Sequence, residues 1–217
     1  MNGGGWRFGL LALALVWLYA GTALAHPHVW VTVRSHVEFT PQGEVEAIVH
    51  DWVFDEMYSA YATQGLAPKG QLATRAIFAP LARENAGRLA TVGYYTTLKI
   101  DGKTMAFAPV REYWMEERPD HLLTFHVRLN LKTPEPIRRF GSLMVADPEY
   151  FIDFEFDAPP NGIVLDHAPV GCSDSLTKPK PLQTGDKLKL SESFFTNLSP
   201  GSNFGFKMAS VVILACP

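Results

Sequence analysis

From His28 to Phe39 apolar and polar residues alternate. Val29, Val31, Val33, Val37 and Phe39 share one face, and His28, Trp30, Thr32, Arg34 and His36 share the other. A period of two marks a half-buried strand. Pro41-Gln42-Gly43 is a turn signal, after which Val45, Ala47, Val49 and Val53 carry an apolar face back along a second strand. Matching the valine faces pairs Val37 with Val45, Val33 with Val49 and Val29 with Val53. That register puts His50 and Trp52 on the face of His28 and Trp30.

At Asp55 the period changes. Asp55 to Gln64 and Thr74 to Val92 read as helices, the second with Ile77, Phe78, Leu81, Ala82, Ala86 and Leu89 as its apolar stripe. Pro80 predicts a kink or a later helix start. From Tyr94 onward short strand patterns return, separated by Gly- and Pro-containing turns, and the stretch from Ser191 to Ala215 predicts one short helix and a final strand. The pattern as a whole predicts a mainly β (α+β) fold. It is an antiparallel β-sandwich forming a single domain over residues 26–217, with a helical insertion at about residues 55–92 after the second strand.

The first 25 residues obey a different rule. Arg7 gives a positive start, Phe8 to Ala20 is unbroken apolar sequence, and Ala23-Leu24-Ala25 places small residues where a signal peptidase reads. This predicts a signal peptide over residues 1–25, export to the periplasm and a mature chain beginning at His26. The apolar run is shorter than the roughly 20 residues that cross a bilayer, so no membrane span is expected in the mature form. The net charge of −3 comes with no basic run or stripe, which argues against nucleic acid as a partner. Cys172 and Cys216 are the two cysteines. In an oxidising compartment they read as one structural disulfide, with a thiolate metal pair as the alternative. Its loop of about 43 residues would be worth about 4 kcal/mol in the chain-entropy picture.

Cleavage after Ala25 would expose His26-Pro27-His28. A terminal His offers its ring and its free amine as metal donors, and His28 adds a second imidazole. Pro27 has no amide hydrogen to lose, so the amino-terminal copper/nickel motif that binds through the second residue's amide does not apply. The arrangement resembles a histidine brace, and the competing reading is a polar entry into the first strand. Asp55 falls near the same strand end and is either a third ligand or the cap of the following helix. Asp147-Pro148-Glu149-Tyr150 is a turn whose Asp bonds its own backbone. Trp30, Trp52, Tyr113 and Trp114 are either core residues or a stacking platform for sugar. No nucleophile elbow, P-loop or dinucleotide fingerprint occurs, so no catalytic residue is nominated and the chain is not read as an enzyme.

Several of these motifs coincide with those of a known family. His26-Pro27-His28-Val29-Trp30, Trp52-Val53-Phe54-Asp55-Glu56 with Tyr58-Ser59, Pro80-Leu81-Ala82 with Asn85, Asp147-Pro148-Glu149-Tyr150-Phe151 and the two cysteines run through the whole mature chain. Together they resemble the exported proteins catalogued as domain of unknown function number one thousand and seven. Glu149 departs from the small polar residue more usual there. The resemblance implies an uncharacterised periplasmic component of a transport system, often encoded beside nickel/cobalt or zinc transporters. The expected function is therefore a periplasmic protein that binds a divalent transition metal (zinc, nickel, cobalt or copper) and assists an inner-membrane metal transporter. His26, His28 and Asp55 are the expected ligands. Two alternatives stand beside it. One is a copper oxidase acting on polysaccharide, with His121 or His167 completing the brace, and the other is a structural or interaction protein that binds no metal.

Overall fold

A computed structural model describes residues 27–68, 70–179 and 203–217; the segment 1–25 and His26 lie outside them. The alternating segment at the front forms strand β1 (Val29–Phe39), and the apolar face Val29, Val31, Val33, Val37 and Phe39 is buried. The turn after it leads into β2 (Glu44–Phe54), antiparallel to β1. The register differs from the valine-matched one: Val37 faces Ile48, Val33 faces Trp52 and Val31 faces Phe54. The cause is a bulge. The ladder slips between Val45 and Ala47 against one neighbour and between Glu38 and Phe39 against the other. An extra residue in one strand rotates everything beyond it onto the opposite face. Ile48, His50, Trp52 and Phe54 therefore turn inward, while Val49 moves outward opposite His36. His50 and Trp52 do not share the face of His28 and Trp30.

The remaining strands among the described residues are β3 (Thr96–Ile100), β4 (Lys103–Thr104), β5 (Glu112–Glu117), β6 (Leu123–Pro136), β7 (Gly141–Val145), β8 (Ile152–Phe156), β9 (Ile163–Asp166), β10 (Ser173–Thr177) and β11 (Val211–Ala215). One sheet runs β5-β6-β2-β1-β8, with β9 also on β1, and the other runs β10-β11-β7-β3-β4. Their inner faces meet in one hydrophobic core that includes Val33, Phe125 and Leu129 from the first sheet and Leu98, Leu143 and Val212 from the second. The fold is thus mainly β with two sheets that are largely antiparallel, as the patterning predicts. One departure is that β1 pairs with both β8 and β9 in parallel. A disulfide joins Cys172 to Cys216 beside the first pair of the β10–β11 ladder. Among the described residues no helix is long and apolar enough to cross a membrane.

The insertion after β2 contains α1 (Glu56–Thr63) and α2 (Arg75–Arg88). Helix α2 starts at Arg75 and continues through Pro80, without the later start that proline suggested. Phe78, Ala82 and Ala86 are buried along its length, and Leu89 extends the same stripe. It lies against β5 and ends in a 3-10 segment, Leu89–Tyr95. Gly93, Tyr94 and Tyr95 there take φ of 62°, 60° and 49°, the left-handed region that side chains with a Cβ avoid. A third helix, α3 (Phe204–Met208), precedes β11.

Candidate functional site

Asp55 ends β2 and caps α1. Its Oδ1 accepts the Tyr58 backbone N–H at 2.9 Å, and its Oδ2 accepts the Trp30 N–H, also at 2.9 Å. The Asp55 N–H donates to the Trp30 carbonyl at 3.0 Å. The carboxylate is thus clamped to β1 as well as to the helix. A carboxylate offers about four lone-pair sites, so each oxygen keeps acceptor capacity beyond its backbone partner. His28 precedes Trp30 by two residues, about 7 Å along a strand. It is exposed, its N–H donates to the Phe151 carbonyl at 2.9 Å, and its ring lies over that of Phe151 with centroids 4.4 Å apart. His28, just before β1, and Asp55, just after β2, therefore lie at the same end of the β1–β2 pair. His26 is outside the described residues, and among the described residues no three His, Cys, Asp or Glu side chains converge as a metal site.

The other histidines separate. His36 lies on the outer face of the sheet, with Nδ1 2.7 Å from Asp166 Oδ2. His121 bonds Glu117 through Nδ1 at 2.8 Å. His167 follows β9, whose Asp166 pairs with Glu38. It therefore sits at the opposite end of β1, roughly 30 Å from His28, and does not approach it. His126 Nδ1 is 2.6 Å from Asp51 Oδ1, and Trp114 stacks on the ring with centroids 4.5 Å apart. At Asp51, burial works to raise the carboxyl pKa, but the hydrogen bond and charge of His126, with His36 and Arg34, outweigh it and lower it. Trp30 and Trp114 belong to this outer face while Trp52 is buried in the core, so the tryptophans do not make one platform.

His50 is fully buried. Thr96 Oγ1 donates to the Tyr94 carbonyl at 2.9 Å, which commits its hydrogen. It must then accept from His50 Nε2, 3.2 Å away. Nδ1 is left as an acceptor for the Ser35 hydroxyl at 2.7 Å. Burial pushes the His50 pKa down from 6.5 to about 3, against the opposing pull of Asp51. This Ser-His pairing has no solvent route, since Ser35 and His50 are both fully buried. It satisfies polar groups in the core rather than presenting a nucleophile.

A cavity of about 560 Å³ opens beside His28. Trp52, Phe54, Phe125 and Phe154 form its floor on the inner face of the first sheet, and Phe151, the ring under His28, forms part of its edge. Asn85, Arg88 and Thr91, from the end of α2 and the 3-10 segment, supply its polar lining. Periodicity identified the floor residues as strand residues but not as a cavity, because the space depends on where α2 is carried by its loop. Asn85 was visible only as part of the family motif, and Arg88 gave no signal.

The family described as Protein of unknown function (DUF1007) matches residues 11–216. No curated protein matches the chain.

Proposed function

The chain belongs to this family of unknown function, and on that premise we propose that it is a periplasmic binding protein for a divalent transition metal, serving an inner-membrane metal transporter. The observation that carries the reading is the Asp55 clamp, which holds a carboxylate on β1 near the exposed His28. Imidazole and carboxylate donors suit zinc, nickel, cobalt and copper(II) alike. His28 and Asp55 are two donors of the required chemistry, and the mature terminus adds the ring and amine of His26. The metal is cargo in this reading, so a partly exposed, incomplete cage at a chain end is an advantage for release. The signal-peptide pattern supports the periplasmic setting, the transporter rests on the family resemblance, and the disulfide is compatible with an oxidising compartment.

Calorimetric metal titration of mature protein tests the proposal. His28→Ala should weaken binding by about tenfold or more, at least the loss that removing a mere outer-shell partner of a ligand causes. His36→Ala should leave it unchanged, although both histidines lie on the same strand face. Equal affinities for wild type and both variants would overturn the proposal.

A further inference from the structure

Protein interiors pack to crystal-like density, yet this cavity of about 560 Å³ interrupts the first sheet's inner face. The volume is in the range of small-molecule sites, about 300–1,000 Å³. Its floor is aromatic, and among the described residues Arg88 is the one charged residue lining it, with no carboxylate in the lining. Arg88 pairs with Glu84 at 3.1 Å, an i,i+4 contact between side chains 77% and 60% exposed. Such a pair is held weakly in water, so its guanidinium remains open to a planar bidentate acceptor. The wall beside it contains the consecutive left-handed residues Gly93, Tyr94 and Tyr95, and Tyr95 lines the cavity. Two tyrosines held in that region are strained, and strain of this kind gathers at ligand clamps.

We infer that the cavity binds a small organic monoanion, with its apolar body against Trp52 and Phe154 and its carboxylate on Arg88. A cationic ligand would also suit aromatic walls, but it would have to pass the guanidinium. A neutral ligand would leave the Arg88 guanidinium with only its weak, exposed pair to Glu84. The inference stands apart from the metal reading, since none of its residues is a proposed metal donor.

The test is calorimetry on mature protein in the presence of a chelator, with 2-naphthoate, octanoate and neutral 2-naphthylmethanol as probes. At least one anion should bind one-to-one with a Kd of about 100 μM or tighter, as suits a ligand of about a dozen heavy atoms. The neutral probe should bind about tenfold more weakly than 2-naphthoate if that is the anion bound. Arg88→Gln should bring the anion down to about the neutral level, and Val92→Trp, at the rim, should abolish binding while both variants keep their thermal melting. Octanoate alone binding would assign an aliphatic body, and 2-naphthoate alone an aromatic one. If neither anion binds saturably up to about 1 mM, or Arg88→Gln changes nothing, or Val92→Trp binds normally, the inference is overturned. Because the chelator removes metal, failure here leaves the metal proposal standing, and failure of the metal titration leaves this one standing.

Discussion

The Asp55 carboxylate holds two backbone N–H groups at once, that of Tyr58 in the first turn of α1 and that of Trp30 across on β1. In the same rotamer an amide places an NH2 group where one carboxylate oxygen stands, so Asp55→Asn gives up one of the two N–H bonds. Any loss of metal affinity in that variant must therefore be read beside its stability. His50 carries the residue-scale prediction on pH. Above about 6.5 it is neutral in both folded and unfolded chains. Below that, the unfolded chain takes up a proton that the native chain refuses until about 3. Stability should therefore fall as pH is lowered through this window, by up to about 1.4 kcal/mol per pH unit from this group. Denaturant titrations across the window check it: His50→Leu should flatten the slope, while lowering stability at neutral pH by stranding the Ser35 hydroxyl. An unchanged slope would contradict the assignment.

Among the elements, strands with clean alternation were the most legible. Every inward residue of β1 is where period two puts it. In β2 the same logic failed beyond Glu46, because a single extra residue exchanges inside for outside and nothing in Val45-Glu46-Ala47 announces it. Of the predicted helical stripe, Phe78, Ala82, Ala86 and Leu89 are buried, while Ile77 is exposed and Leu81 only partly covered; the parallel partners of β1 are distant in sequence and leave no local mark. Helix α3 was expected as a short helix near the end of the chain, and its seat is now explained. The Asp147 carboxylate gathers the N–H groups of Glu149, Phe151 and Ile152 into a turn, and Gly205 packs on that turn so closely that a Cβ would come 1.8 Å from the Asp147 carbonyl oxygen. Gly205→Ala should therefore force the two elements apart at a cost of about 1–3 kcal/mol. A thermal melt like that of the wild type would show that the contact is not rigid.

For the whole molecule, the mainly β class and the disulfide pair were legible, since both depend on counting and periodicity. The cavity was not, because it arises from how the insertion lies on the sheet. The Cys172–Cys216 bridge spans 44 positions, and its double replacement by Ser should lower stability by about 2–4 kcal/mol by loosening the constraint on the unfolded chain. Chemical denaturation measures that loss, and metal affinity should hardly move, since the bridge ties β10 to β11 while His28 and Asp55 lie on the other sheet. The central claim, that the mature terminus is a metal site built around His26, His28 and Asp55, has one most direct test. It is the metal affinity of protein with a verified His26 N-terminus, compared with the same protein carrying one added Ala before His26. The extra residue removes no imidazole and no carboxylate, but separates the free amine from the His26 ring. The account predicts a loss of about tenfold or more; equal affinity for the two proteins would contradict it.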